Sequence, residues 1–202
     1  MELKRLTSII TSRLSYLSSE VRLNGSINLL DSNVLSEDIF KTILNIVYGL
    51  NLHNANLDEQ NIKAIDLVDD AAKVFIQVSS DNSKVKVQKS LDKIELPKYN
   101  DYNFKFVCIS KGVSLLKKST FTVPTGISFD AETDSYDGKR LLRDVMAKDI
   151  DTISKLATCL EKSILPASAE ERRPSVITYV INCLSEESLS DVSVKPDVKP
   201  ST

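Results

Sequence analysis

The chain has 202 residues, of which 42% are hydrophobic and 27% are charged. This length and composition are typical of one soluble domain with a hydrophobic core. The formal net charge is only −2, so the chain has no overall positive field that would attract nucleic acid. Any contact with nucleic acid must come from a local basic patch.

Two amphipathic helices are predicted at the amino end of the chain. Apolar residues recur at spacings of three and four over 3–23, and the breaker sequence at 24–26 is expected to end this first helix. A second apolar stripe predicts a helix over about 35–49. Ser36 is the expected N-cap of that helix, and Glu37 falls in its first turn, where an acid complements the helix dipole.

A β-hairpin over 62–79 is predicted after an Asn-rich loop. The segments KAIDLVDD and KVFIQVSS both alternate apolar and polar residues, and turn residues separate them. Because side chains alternate between the two faces of a strand, the apolar residues of both strands must face one core, and Asp66, Gln77 and Ser79 emerge together on the other face. Asp66 and Gln77 are then cross-strand neighbours within reach of one shared ligand.

A helix and a buried strand are predicted directly after the hairpin. The segment SDNSKVKVQKSLDKIEL has a helical pattern, and Ser80, Asp81 or Ser83 is available to cap it. The segment FKFVCIS (104–110) is short, apolar and rich in β-formers, which indicates a strand.

The remainder of the chain is predicted to be mainly helical. The run 121–129 contains a proline and a glycine, so it is an irregular or edge strand at best. Helices are predicted over about 138–147 and 149–164, whereas RRPSVITYVINCLSE is ambiguous between strand and helix.

This order of elements predicts an α/β fold, an α+β sandwich with a hairpin near its middle and extra helices at its carboxyl end. We expect one domain over 1–188, followed by a tail or linker over 189–202 that is rich in Pro, Ser and Lys. The domain is expected to comprise amino-terminal helices (1–50), a core (60–130) and a carboxyl-terminal helical part (136–188).

The cysteine and histidine content excludes several kinds of site, and the hydropathy indicates the cell compartment. Three widely spaced cysteines argue against a disulfide framework and against a zinc site. His53 is the single histidine, which excludes a multi-histidine metal site and disfavours a Ser/His or Cys/His hydrolase. No apolar run is long enough to span a bilayer and no secretory signal is visible, so we expect a cytoplasmic protein without membrane contacts.

The order of the polar residues resembles a known nuclease superfamily. Glu37 on a helix, Asp66 in a first strand and Gln77-Val78-Ser79 in a second strand are similar to the pattern of the PD-(D/E)XK superfamily. More narrowly, three segments resemble the bacterial SMEK domain over about the first half of the chain: NVLSEDIFKTILNIVYGLNLHNAN, AIDLVDD and VFIQVSSDNSKVKVQKSL. That domain is similar to restriction-endonuclease folds and occurs in phage-defence proteins, including ABC three-component systems.

The resemblance implies a fold and a function. The expected fold is a restriction-endonuclease-like core with a central mixed sheet flanked by helices. The expected function is that of a metal-dependent endonuclease acting on DNA in bacterial anti-phage defence. Its expected partners are double-stranded DNA, a second copy of the chain and an ATPase or another component of the defence system.

The resemblance also implies the metal site. Asp66, Gln77 and the backbone carbonyl of Val78 are expected to hold Mg²⁺ or Mn²⁺. The superfamily usually has an acid at the place of Gln77. A glutamine carbonyl still offers the oxygen ligand that Mg²⁺ prefers, but it adds no charge, so we expect weaker binding.

A cationic group is also needed near the scissile phosphate. The superfamily usually has a lysine where this chain has Ser79, and a serine cannot stabilise negative charge as a cation does. Lys86 is the leading candidate to replace that lysine, and Lys84 is the second. Glu37 is expected to bind the metal through water or to position the site from its helix.

The stretch 81–118 has nine lysines against four acids, so it is locally basic. Lys84, Lys86 and Lys89 are the expected contacts to phosphate groups. Two alternatives remain open beside the endonuclease. One is a catalytically inactive nuclease-like module that binds nucleic acid, and the other is a domain that only binds a partner protein.

Overall fold

The structure is a computed structural model that describes residues 1–26, 31–55, 65–94 and 98–164. These residues belong to one compact unit, Met1–Ile164. The predictions for RRPSVITYVINCLSE and for the tail over 189–202 lie outside the described residues.

Two long helices begin the chain, α1 (Glu2–Ser26) and α2 (Asp31–Tyr48). The first helix ends within the predicted breaker sequence, because α1 includes residues 24–26 and its last residue is Ser26. The prediction that Ser36 caps α2 is wrong. The helix begins at Asp31, so Ser36 lies within it and is only 1% exposed. Glu37 therefore lies in the second turn, where the helix dipole gives weaker support for an acid.

Within the described residues a mixed sheet of six strands forms the centre of the fold. The strands are β1 (His53–Asn54), β2 (Leu67–Asp69), β3 (Val74–Ser79), β4 (Tyr102–Cys108), β5 (Ile127–Ser128) and β6 (Ser135–Asp137). Their order is β1-β2-β3-β4-β5, and β6 pairs with β4 beyond the end of β5. The β1–β2 and β2–β3 pairs are antiparallel, whereas β4 runs parallel to β3, β5 and β6.

The predicted hairpin is confirmed. Strands β2 and β3 pair antiparallel with Leu67 opposite Ile76, which is the parity expected from the apolar pattern. One detail is wrong: strand alternation in KAIDLVDD predicts Ile65 and Leu67 on one face, but Ile65 packs with the core on the other side of the sheet. The reason is that β2 begins only at Leu67 and the backbone bends at Asp66, so strand alternation does not extend to Ile65.

Four further helices accompany the sheet within the described residues, and they are α3 (Lys84–Leu91), α4 (Ala131–Asp134), α5 (Gly138–Met146) and α6 (Ile150–Ser163). Helices α5 and α6 confirm the two helices that were predicted for this part of the chain. None of the helices in the described part of the chain has the length and apolarity that crossing a membrane requires.

Helix α3 connects two parallel strands, β3 and β4, as a crossover must. Of its three candidate caps, Ser83 is the N-cap, and its hydroxyl accepts a hydrogen bond from the backbone N–H of Lys86 at 3.1 Å. The predicted strand over 104–110 is confirmed as β4, which begins two residues earlier. The irregular run at 121–129 includes only the two-residue strand β5, in agreement with its predicted edge character.

Both faces of the central sheet are buried. One face packs against α1, α2, α5 and α6 through residues that include Leu67, Ile76 and Val107. The other face packs against α3 and the loop after β4 through residues that include Phe75 and Phe104. The hairpin therefore has no polar, solvated face, because a parallel crossover places its helix over the sheet.

Candidate functional site

An open cavity of about 420 Å³ lies at the carboxyl end of β3. Side chains from α2, the hairpin and α3 meet there, and so does the start of the segment after β4. The residues that line the cavity are Glu37, Asp66, Gln77, Val78, Ser79, Ser80, Asp81, Lys86 and Ile109. This set includes the residues that the sequence indicated for catalysis, which are Glu37, Asp66, Gln77, Ser79 and Lys86, and the three expected metal ligands, Asp66, Gln77 and Val78.

Asp66 is held where the hairpin ladder with β2 ends. Its backbone N–H donates to the carbonyl of Ile76 at 3.1 Å. Because β2 does not extend past this point, the next outward N–H of β3, that of Val78, has no strand partner on this side. It donates instead to Oδ2 of Asp66 at 2.7 Å. The aspartate thus completes the hydrogen bonding of the β3 edge and points its carboxylate into the cavity.

Gln77 confirms the predicted cross-strand contact with Asp66. Its side-chain nitrogen Nε2 donates to Oδ2 of Asp66 at 2.5 Å and to the carbonyl oxygen of Val78 at 3.1 Å. Gln77 is only 5% exposed, so it is a buried polar residue with both amide protons engaged. Within the described residues, Oε1 of Gln77 and Oδ1 of Asp66 accept no hydrogen bond.

The electrostatics of the cavity favour protonation of its carboxylates. Burial raises the pKa of Asp66 to about 6, although the Val78 N–H, the charge of Lys86 and the Gln77 amide pull it down. Burial also raises the pKa of Glu37 to about 7, with help from the negative charges of Asp66 and Asp38, while Lys86 lowers it. The charge of Asp66 therefore acts on Glu37, and the charge of Lys86 acts on both acids.

The three candidate lysines of α3 occupy different environments. Lys86 lines the cavity and its charge acts on Glu37 and Asp66. The ammonium of Lys84 lies over the ring of Phe121, 5.9 Å from its centroid, and outside the cavity lining. Lys89 is exposed and is also absent from the lining. Of the three, Lys86 alone is placed to act on groups within the cavity.

The turn after β3 places Ser79 and Asp81 in the cavity lining. From the sequence, Asp81 was predicted only as one of three possible caps of the following helix. The hydroxyl of Ser79 accepts from the backbone N–H of Asp81 at 3.1 Å. The carboxylate of Asp81 accepts from the backbone N–H and the hydroxyl of Ser83. The position of Asp81 directly after a strand could have marked it, because ligands often bind at the carboxyl ends of parallel strands.

The donor set of this cavity is unusual for a metal centre. Nowhere in the described ranges do three or more His, Cys, Asp or Glu side chains gather as a group that could hold a metal ion. The cavity instead combines carboxylates on Glu37, Asp66 and Asp81 with the amide of Gln77 and the carbonyl of Val78. All of these groups offer oxygen donors, but the three acids do not gather into one cluster.

The raised pKa values predict how stability depends on pH. The folded protein binds more protons at Asp66 and Glu37 than the unfolded chain does between about pH 4 and pH 7. With a chelator present, the free energy of unfolding should therefore fall as the pH rises from about 5 to about 8, with Asp66 contributing on the order of 1–2 kcal/mol. Urea unfolding across this window measures the slope.

The control for this prediction uses two matched substitutions. Asp66→Asn should remove part of the slope, whereas Asp92→Asn changes an exposed aspartate outside the cavity and should leave the slope intact. A free energy of unfolding that stays constant or rises over this window, with Asp66→Asn unchanged from wild type, would contradict the assignment.

The chain was compared with known protein families, and one family model matches it. The family model of the SMEK domain matches residues 9–146, which is more than half of the chain and includes every residue of the cavity. No curated protein and no solved structure shows a significant match to the chain. The chain belongs to the SMEK domain family.

Proposed function

We propose that the cavity is a divalent-cation site for hydrolysis of phosphodiester bonds in DNA, and that the domain acts in bacterial anti-phage defence. The observation that carries the proposal is the meeting of Glu37, Asp66, Gln77 and Lys86, from separate elements, in one open cavity. Two acids, an amide and a lysine around an accessible space are the groups that phosphoryl chemistry requires.

The arrangement of elements supports a restriction-endonuclease-like core. The acid-bearing helix α2 comes first, the hairpin with Asp66 and Gln77 follows, and α3 then crosses to the parallel strand β4. This is the order that the resemblance to the PD-(D/E)XK superfamily implies. The proposal assigns the two sides of the sheet different tasks: the α2 side supplies Glu37, and the α3 side supplies Lys86.

The donor chemistry of the cavity fits Mg²⁺ or Mn²⁺. Oδ1 of Asp66 accepts no hydrogen bond from the described residues, and the Gln77 amide contacts both Oδ2 of Asp66 and the carbonyl of Val78. Hard divalent cations prefer such oxygen donors, so Asp66, Gln77 and Val78 would hold the ion. A bound cation would lower the pKa of water and neutralise charge on the phosphate.

The remaining groups of the cavity would act on protons and charge. Glu37 has a pKa of about 7, so it can take up and release a proton near neutral pH. Lys86 would stabilise the additional negative charge on the phosphate in the transition state. Ser79 would act only through the turn that it forms with Asp81, because its hydroxyl accepts that backbone N–H.

A second candidate function is a nuclease-like module that binds nucleic acid without cutting it. The hydrogen bonding of Gln77 favours this alternative, because its amide satisfies Asp66 and the Val78 carbonyl without any ion. Under this alternative, affinity for DNA persists without turnover. The basic surface of α3, with Lys84 and Lys89, would then supply the phosphate contacts.

Cleavage and binding of DNA, measured separately, test the proposal. Plasmid and linear phage DNA would be incubated with the wild-type protein in Mg²⁺, Mn²⁺ or chelator, beside Asp66→Asn and the control Asp92→Asn. We expect cation-dependent cleavage by the wild type and Asp92→Asn, and none by Asp66→Asn. Binding without cleavage under every cation would favour the inactive module, and equal cleavage by all three proteins would reject the cavity as the site.

A further inference from the structure

The Gln77 side chain lies between two oxygen atoms that can only accept hydrogen bonds. Nε2 is 2.5 Å from Oδ2 of Asp66 and 3.1 Å from the carbonyl oxygen of Val78. An ionised carboxylate and a backbone carbonyl have no protons to donate. A group that lies between them must therefore either donate protons to both, as an amide nitrogen or a water does, or be a cation that both oxygens bind.

The Gln77 amide lies in a buried position next to a negatively charged group. Gln77 is 5% exposed, and Asp66 is buried enough that its pKa is raised to about 6. A second hydrogen bond, from the Val78 N–H, reaches the same Oδ2 atom at 2.7 Å. The amide nitrogen thus compensates a carboxylate that water solvates poorly, which gives its contact with Asp66 more weight than a surface contact has.

Gln88 provides a comparison within the same chain. Its Nε2 also donates to an aspartate and a backbone carbonyl, at 2.8 Å to Oδ1 of Asp92 and 2.8 Å to the oxygen of Thr122. These bonds are exposed, and neither Gln88 nor Asp92 lines the cavity that holds Glu37 and Lys86. The bonding pattern alone is therefore ordinary, and its burial beside Glu37 and Lys86 distinguishes Gln77.

We infer that the Gln77 amide is an internal stand-in for a divalent cation between Asp66 and Val78, and that its rotation controls cation binding at this cavity. The inference rests on the proposed cation site but not on cleavage. A half-turn of the amide exchanges Nε2 for Oε1, so the same side chain changes from donor to ligand. The half-turn breaks both hydrogen bonds of Nε2, and the wild-type protein should therefore bind divalent cations weakly.

Replacing Gln77 with glutamate should make the cation-free protein less stable and should strengthen its binding of divalent cations. The variant Gln77→Glu has no amide protons to donate to Asp66, so two carboxylates then face each other and Asp66 keeps only the hydrogen bond from the Val78 N–H. In a chelator the variant should melt at a lower temperature than the wild type. A divalent cation should bind it at least about tenfold more tightly than the wild type, because no charge-assisted hydrogen bond is broken and one charge is gained.

The test measures Mn²⁺ binding by calorimetry and the change in Tm between chelator and Mn²⁺. Wild type, Gln77→Glu and Gln88→Glu are compared, the last as a control that makes the same substitution beside an exposed aspartate. We expect a large rise in Tm with Mn²⁺ for Gln77→Glu alone, and its loss in the double variant with Asp66→Ala. Equal Mn²⁺ affinity of Gln77→Glu and wild type would overturn the inference.

A second measurement on the wild-type protein decides the question even if Gln77→Glu does not fold. The side-chain amide protons of Gln77, assigned from their absence in Gln77→Met, are followed by NMR during a Mg²⁺ titration. We expect them to exchange slowly without Mg²⁺ and to lose that protection at saturation. Signals that do not respond to saturating Mg²⁺ overturn the inference. If both measurements are positive and DNA is not cleaved, the inference stands and the nuclease proposal fails.

Discussion

Replacing Lys86 with methionine should reduce cation-dependent DNA cleavage by about a hundredfold, the usual effect of removing one group that stabilises charge in the transition state. Lys84→Met should change it by less than about threefold, since an exposed cation contributes mainly to general phosphate attraction. The reason for the difference is geometric. Lys86 lines the cavity, whereas the ammonium of Lys84 lies over Phe121.

A pH profile separates a direct role of Lys86 from a structural one. The charge of Lys86 lowers the pKa of both Glu37 and Asp66. Removing that charge should therefore move the acidic limb of the cleavage profile to higher pH, and Lys84→Met should leave the limb in place. Equal losses for the two variants, with no shift of either profile, would show that the lysines of α3 supply only surface charge.

Phe104→Ala should lower the free energy of unfolding by about 3–5 kcal/mol, the range for removal of a fully buried aromatic ring. Phe104 is 0% exposed on β4, and its ring lies 5.4 Å from that of Phe75 and 5.1 Å from that of Phe129. Because a whole domain is stable by only about 5–15 kcal/mol, this loss should be visible as a large shift of the urea midpoint.

Phe121→Ala is the matched control for this prediction. Phe121 is a phenylalanine in the same cluster, in contact with Phe129, but it is only partly buried. Its removal should therefore lower the free energy of unfolding by clearly less than Phe104→Ala does. Equal or larger destabilisation by Phe121→Ala would show that the packing beneath α3 does not centre on β4 as the structure has it.

The register of the hairpin was predictable from the sequence because it depends on local parity. A shift by one residue would move the apolar set of a strand to its opposite face, so the alternation in KVFIQVSS leaves only one parity that buries Val74, Ile76 and Val78. The contact between Asp66 and Gln77 follows from that parity alone, and the structure confirms it. Helices α5 and α6 were predictable for the same reason, since each has its own periodic pattern.

The ends of the helices and the burial of the polar groups were not predictable in this way. Ser36 has the chemistry of a cap, but α2 begins five residues earlier, at Asp31, and Ser36 is buried within the helix. Likewise the alternation placed Gln77 and Ser79 on the face opposite the apolar set but did not give their exposure, which is 5% and 9%. Only the path of α3 over the sheet covers that face, and this path is a property of the crossover.

By itself, the sequence determined that Asp66 and Gln77 are neighbours, since a contact across a hairpin depends on residues eleven positions apart with one allowed parity. The tertiary structure alone decided that Glu37 from α2 and Lys86 from α3 reach the same cavity. Those side chains come from helices on opposite sides of the sheet, and their meeting depends on how each helix packs. Local patterns describe which face of a helix is buried, but they do not describe where along the sheet that helix ends.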